Sequence, residues 1–454
     1  MWLATPIAGT NMLTMLMGIV DTIIVGHHSA QELAELALAW SLNGTSFVAV
    51  IGLTIGASVM VSRRIGEGRP QDVGAIWRRA AISAVIAGFV LALLLNWGAA
   101  AGLRLFGQDE ALIAGASSAA HILALSLVPL GIYMASAKTV EALGAPRLSV
   151  LVLIGANLVN LVLNLAWVPA HGADGSAWAT FAARCFCAVA IVLLMLRLGR
   201  GKSYGFLKPV PASRDRAEFA RERREQLSIG FAAMGSRVLE AASFNAMTLF
   251  AGAHGVIGIA TFSIFMNALS FGFMPAIGLA QATSVLASRA RGAGFVPGAV
   301  RIGWLGLGLG AGWGLVAGLI GLVAAKPIAG LFTADPMVAA AGAAMLAAWI
   351  MVTVTDYAQV IVAEVMRAMG AAWFPTISHL GSYICVMIPL GWLLCVHLDR
   401  GAWGLMEAVA VASLVSLLLL TARWALLVRS LTGAEVPGGA VGQDSGKKAV
   451  PAHT

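Results

Sequence analysis

The sequence predicts an all-α polytopic membrane protein of twelve spans, built as two parallel six-helix repeats, and three observations carry that prediction. Apolar residues make up 59% of the 454 residues, charged residues only 11%, and the mean hydropathy is +0.87; a soluble domain carries about 25% charged residues. A spanning helix needs about 20 mostly apolar residues, and the chain offers twelve such windows. The chain also repeats itself at an offset of 226 residues: IGLTIGASVMVSRRIGEG at 51–68 lies without a gap over IGLAQATSVLASRARGAG at 277–294, and Ala142 and Gly144 fall on Ala368 and Gly370. Duplicated membrane units are a common build of secondary transporters, whose substrate sites lie where the units meet.

The apolar windows of the first half fall at 3–25, 38–61, 80–103, 117–140, 148–169 and 175–196. Those of the second half fall at 227–251, 257–286, 302–325, 338–363, 374–396 and 402–422. Lys and Arg stay on the cytoplasmic side of a bacterial inner membrane. With Met1 inside, the outer connections hold only Arg104, Lys326 and Arg400, the spans hold Lys138, Arg184 and Arg237, and the other 23 of 29 basic residues lie in inner connections or the tail. Both termini are therefore expected in the cytoplasm. Topology accounts for most of the net charge of +8, so a nucleic-acid partner is not implied. An even number of spans per repeat sets the halves the same way round, about an axis along the membrane normal.

The expected units are a first lobe at 1–199, a cytoplasmic linker at 200–226, a second lobe at 227–431 and a disordered cytoplasmic tail at 432–454. The linker, RGKSYGFLKPVPASRDRAEFARERREQ, is too charged to span and is expected to end in a short amphipathic or solvated helix. The opening MWLATPIAG lacks the basic stretch of a cleavable leader. Cys185, Cys187, Cys385 and Cys395 all fall within spans and read as buried apolar residues, with neither metal nor disulfide spacing.

A carboxylate at the centre of a span costs about 2.5–3.5 kcal/mol on insertion scales, which makes each one a functional candidate. Asp21 in the first span, Glu240 in the seventh and Asp356 in the tenth are the deepest. Thr10, Asn11, Thr14 and Asp21 share one helix face, and Asn157, Asn160 and Asn164 form a second polar stripe on the fifth span. That stripe fits interhelical glue, and equally a set of neutral oxygens for a cation or a protonated carboxyl group. Asp21 can cap or snorkel, or it can act. Glu240 has Arg237 one turn earlier, an ion pair or a tuned acid, and Glu364 pairs in the same way with Arg367. Lys138 is expected to snorkel to the cytoplasmic surface. His121, His379 and His397 have no ligand spacing.

Several segments together resemble the multidrug and toxic compound extrusion (MATE) family. They are IVDTIIVGHHS, GASVMVSRRIGEGRP, EALGAPRLSVLVLIGANLVNLVLN and GSAWAT, followed by RVLEAASFNAMTLFAGAHG, MPAIGLAQATSVLASRARGAG and TDYAQVIVAEVMRAMGA. The resemblance covers about residues 3–425 and implies a V-shaped two-lobe fold that exports amphipathic, often cationic, compounds or drugs in exchange for H⁺ or Na⁺, with no cofactor. The family's carboxylates match Asp21, Glu240 and Asp356, as in its NorM-like branch. Its N-lobe cation site matches Asn160, Asn164 and Thr180, with Asn164 in place of a carboxylate, and Pro6 matches a proline at which the first helix is thought to bend. Asp21, Glu240, Asp356 and Asn157 are the expected substrate contacts, and a monomer in the bilayer is expected.

The main expectation is thus a cation-coupled antiporter. A lipid-linked-sugar flippase of related architecture is the alternative, and intramembrane Arg184 and Arg237 are its thin basis. An enzyme is not expected, because no cluster of catalytic His, Asp or Cys gathers at one membrane face.

Overall fold

The computed structural model describes residues 2–105, 108–208, 216–333 and 335–433, which are helical almost throughout, with no strand among them. Helix α1 (Ala4–His28) and α2 (Ala30–Gly66) meet at Ser29, which leaves the helical region (φ −156°, ψ 130°) and caps α2 by accepting from the Glu32 backbone N–H. Helix α3 (Val73–Leu105) is the third span. The fourth is broken at Ser126 into α4 (Glu110–Leu125) and α5 (Leu127–Ala142). Pro129 explains the break, because it lacks the N–H that would bond the carbonyl four residues earlier.

Helix α6 (Arg147–Leu198) runs for 52 residues. At 1.5 Å per residue that is about 78 Å, twice what one crossing needs. The chain reverses at Gly172 (φ 51°, ψ −130°), a conformation open to glycine, so α6 supplies both the fifth and the sixth span. The second half follows with α7 (Arg216–Ala251), α8 (Gly255–Gly292) and α9 (Val296–Phe332). The tenth span is α10 (Pro336–Ala347) and α11 (Ile350–Ala368), bent by 56°. The eleventh contains α12 (Phe374–His379) and α13 (Ile388–Trp392), joined and followed by π turns at Leu380–Met387 and Leu393–His397. Pro389 again lacks an N–H there, and π turns absorb the lost bond. Helix α14 (Gly401–Gly433) is the last. The tail expected to be disordered lies outside the described residues beyond Gly433.

The repeat is visible in three dimensions. The broken spans of the two halves begin at Glu110 and Pro336 and end at Ala142 and Ala368, at the offset read in the sequence. Gly144 and Gly370 follow them, both with positive φ (86° and 92°). One buried apolar cluster draws on residues from Met247 to Trp424. Another draws on Met17 to Phe206, with Ile229, Ala232, Ala233 and Ala372 joining from the second half.

The halves meet through α1 and α2 against α7 and α8. The two repeated loops touch back to back: a side chain at Gly66 would overlap the Arg289 carbonyl, and one at Gly292 the Arg63 carbonyl. Arg289 Nη2 also donates to the Ala142 carbonyl at 2.6 Å. These contacts gather at the end of the molecule that carries the basic loops, so the cleft is closed there.

The linker does end in an amphipathic helical stretch, one face exposed and the other docked, but that stretch is not a short, separate helix. Helix α7 starts at Arg216 and continues unbroken into the seventh span. Glu218, Glu222 and Glu225 recur at four- and three-residue steps and so share a face, which docks on the basic end of α2 and α3. Glu225 meets Arg63 at 2.5 Å, Glu218 meets Arg69 at 3.1 Å, and buried Glu222 bonds Arg64 and lies 3.6 Å from Arg79. Lys138 does not snorkel either: it is 4% exposed, with Nζ 2.9 Å from both Glu141 and, across the cleft, Gln281. A counter-charge one turn away on its own helix makes burial cheaper than reaching the surface. Of the four cysteines, Cys187 and Cys395 are buried, whereas Cys385 faces outward and Cys185 is half-buried.

Candidate functional site

The reversal at Gly172 folds the fifth and sixth spans side by side and brings Asn160, Asn164 and Thr180 against α1. All three are fully buried, and they converge on Asp21, itself 1% exposed. Asn160 Nδ2 and Asn164 Nδ2 donate to Asp21 Oδ1 at 2.9 and 2.8 Å, and Thr180 Oγ1 donates to Oδ2 at 2.5 Å. No Lys, Arg or His lies within ion-pair distance of this carboxylate among the described residues. The side-chain oxygens of Asn160 and Asn164 are buried without a partner. A buried carboxyl group held by three neutral donors, beside unpartnered amide oxygens, is chemically suited to exchange a proton or a small cation. Asn157 is not part of the cluster: its Nδ2 donates to the Leu13 and Leu153 carbonyls at 3.0 and 2.8 Å, tying α6 to α1. Pro6 lies in the first turn of α1, where a missing N–H forfeits no helical bond, and its carbonyl accepts from Thr10 Oγ1 at 3.0 Å.

The second-half carboxylates sit differently. Asp356 Oδ1 accepts from Ser413 Oγ at 3.0 Å and from Gln359 Nε2 at 3.3 Å. The network then runs inward. Gln359 Nε2 bonds the Tyr383 hydroxyl at 2.6 Å, its Oε1 accepts from Ser416 Oγ at 2.7 Å, and His379 Nε2 lies 3.1 Å from the same Oε1. An amide oxygen can only accept, so Nε2 carries the imidazole proton and Nδ1 accepts from Ser236 Oγ at 2.7 Å. Beside this neutral network runs a band of alternating charge. Arg237 is 3.2 Å from Glu240 and 3.6 Å from Glu364, which is 2.9 Å from Arg367.

Two adjoining cavities open between the halves. The larger, about 680 Å³, is lined by Thr10, Asn11 and Thr14 of the α1 polar face, by Met134, Lys138 and Glu141, and by Arg184 and Arg237. The smaller, about 390 Å³, is lined by Glu240 and Asp356 with Phe244, Met266 and Phe273. Trp40, Val48 and Ser270 line both. The structure thus brings Glu240 and Asp356 to one cavity, buries Asp21 between α1 and α6, and leaves Asn157 half-buried beside α1.

A single family model, MatE, matches the chain twice, at residues 6–166 and 232–393, with starts separated by the repeat offset itself. The chain belongs to the MATE family. Among curated relatives, the probable multidrug resistance protein NorM of Caulobacter vibrioides is 34% identical over 435 residues, spanning 94% of this MATE chain and 90% of that one. Among solved structures, the eukaryotic MATE transporter AtDTX14 superposes with a TM-score of 0.84 at 19% identity, covering 95% of this chain and 97% of its own. An outward-facing multidrug resistance MATE transporter of the MOP superfamily superposes at 0.85 with 16% identity, covering 95% of both chains. The twelve-span, two-repeat membrane fold is therefore that of MATE transporters.

Sequence reasoning missed several groups of this MATE site. Gln359 and Ser413 bond Asp356, and Tyr383, His379 and Ser416 bond Gln359 in turn, so the network draws on three spans. The one signal in the sequence was the stripe Asp356, Gln359 on α11, since i and i+3 share a face.

Proposed function

We propose that this MATE protein is an H⁺- or Na⁺-coupled antiporter of the bacterial inner membrane that exports amphipathic, often cationic, organic compounds by alternating access. The observation that carries the reading is Asp21, fully buried, held by Asn160, Asn164 and Thr180, with no basic group at ion-pair distance among the described residues. Such a carboxyl group is stable inside the bilayer when it is protonated or bound to a cation, so its occupancy can bias the packing of α1 on α6. Glu240 and Asp356, flanked by Trp40, Phe244 and Phe273, give an organic cation both charge and aromatic faces. The lobes 1–199 and 227–431 are the moving bodies, with both termini in the cytoplasm, and Pro6 is the point at which α1 yields. One elementary charge moved through 100 mV supplies about 2.3 kcal/mol, close to a fiftyfold concentration ratio.

The NorM name of its relatives supports drug export. The flippase reading gains little: of the three cations lining the larger cavity, Lys138 and Arg237 are already paired with carboxylates, which leaves too little for a pyrophosphate. The test is ethidium movement in proteoliposomes under an imposed pH or Na⁺ gradient, for wild type, Asp21→Asn and Asp356→Asn. Gradient-driven export lost in Asp21→Asn supports the reading. Export unchanged in both variants overturns it.

A further inference from the structure

The larger cavity holds a cation that this coupling scheme does not use. Arg184, on the sixth span, is 7% exposed and lines that cavity. Its Nη1 donates to Ser126 Oγ at 2.5 Å, the one hydrogen bond it makes among the described residues, and no carboxylate oxygen lies within 4.0 Å. Asp21 stands beyond ion-pair distance: its oxygens accept from Asn160, Asn164 and Thr180, and its charge reaches Arg184 only at longer range. The other cavity cations contrast with it: Lys138 is 2.9 Å from Glu141 and Arg237 is 3.2 Å from Glu240.

Arg184 is held by aromatic rings instead. Its guanidinium carbon stands 5.1 Å from the Phe47 ring centre and 5.5 Å from that of Trp40, and both rings line the cavity. The Trp40 indole N–H and the Tyr133 hydroxyl, from two further cavity residues, are buried without partners. An unpaired buried guanidinium is costly, and the cost is relieved by an anion that brings two oxygens to its planar fork. Flat aromatic neighbours and the apolar wall of Met15, Met134 and Met274 favour an anion borne on an aromatic body.

We propose that Arg184 is an anion anchor of the central cavity, the residue by which the cavity holds the carboxylate of an aromatic amphiphile. The proposal rests on the cavity being the cargo site of the antiporter described above. A single guanidinium free of carboxylates suits a monocarboxylate. An inorganic anion satisfies the charge but leaves the aromatic and methionine surface unused.

The test is isothermal titration of purified protein in detergent with 2-naphthoate and with 2-naphthylmethylammonium, which carries the same ring with the opposite charge. Arg184→Gln is expected to weaken naphthoate binding about tenfold or more, the range for a hydrogen bond to a charged group, and to leave the ammonium compound within about twofold. Arg184→Lys keeps the charge, loses the fork and is expected to fall between; it serves as the readout where Arg184→Gln fails to fold. The proposal is overturned if naphthoate fails to bind wild type, if the variants weaken both ligands alike, or if chloride displaces naphthoate as effectively as a second aromatic carboxylate does. Wild type that exports ethidium but ignores naphthoate overturns this proposal alone. Arg184-dependent naphthoate binding by protein that moves no organic compound under either gradient upholds the anchor and overturns the antiporter reading.

Discussion

Lys138 and Glu141 in the first repeat occupy the positions of Glu364 and Arg367 in the second, and the two buried pairs have opposite polarity. Both close at 2.9 Å across one helical turn. The duplicated backbone thus fixes a place for a buried pair on the fourth span of each half without fixing its sign. The difference lies in the third partner. Lys138 reaches across the cleft to Gln281, whereas Glu364 is joined within its own half by Arg237. The same divergence marks the carboxylates: Asp21 is met only by neutral donors from α6, while Asp356 opens on a cavity shared with Glu240 and lies beside a charged band. One half is built around a solitary acid, the other around a network.

The sharpest way to break that comparison is to remove one charge from each pair. Lys138→Met strands Glu141, whose ion-pair partner is Lys138, and is expected to destabilise the protein by about 3 kcal/mol, the range for a broken buried pair. Arg367→Met is expected to cost less, because Glu364 keeps Arg237. Thermal unfolding in detergent reads both, and the opposite order would show that the third partners are not what distinguishes the halves. Next comes Asn164→Asp, which places a second carboxylate at Asp21 and is expected to make Na⁺ stabilise the fold by about 1–2 kcal/mol near tenfold excess over the dissociation constant, read as a raised melting temperature. No Na⁺ protection in this variant would argue that the amide cluster handles protons alone.

Smaller effects come from single donors. Thr180→Val and Ser413→Ala each remove one bond to a carboxylate, worth about 1–2 kcal/mol at most. The shift in the half-saturating H⁺ or Na⁺ concentration for transport is expected to be larger for Thr180→Val, since Asp356 can be rehydrated from its cavity. The smallest effect is expected from Glu110→Gln, which removes a well-exposed pair with Arg104 at 2.8 Å; its melting temperature is expected to match wild type.

Twelve spans, their pairing into repeats and the depth of Asp21, Glu240 and Asp356 were legible in the sequence because apolar length and helical period are local properties. So was the Asn160–Asn164 stripe, whose partner on α1 could be guessed from a matching polar face. Where one helix presses on another was not legible. Lys138 read as a surface lysine although its partner Glu141 stands only three residues on, since its second partner Gln281 is remote in the chain, and His379 read as an isolated histidine because Gln359 and Ser236 come from other spans. Arg184 read only as a thin basis for the flippase alternative, since its neighbours Trp40, Phe47 and Ser126 lie on the second and fourth spans. The linker misled for a related reason: its charge density suggests solvent, and only the facing cluster of Arg63, Arg64, Arg69 and Arg79 turns that charge into an interface.

The back-to-back loops at Gly66 and Gly292 turn a packing detail into a handle on conformation. Each glycine lies against the carbonyl of the arginine three residues before the other, so a single methyl at either position acts as a doorstop at the end that carries the basic loops. Gly66→Ala and Gly292→Ala would therefore be twin wedges, placed by the duplication itself, that pry the two halves apart at the end where they now touch.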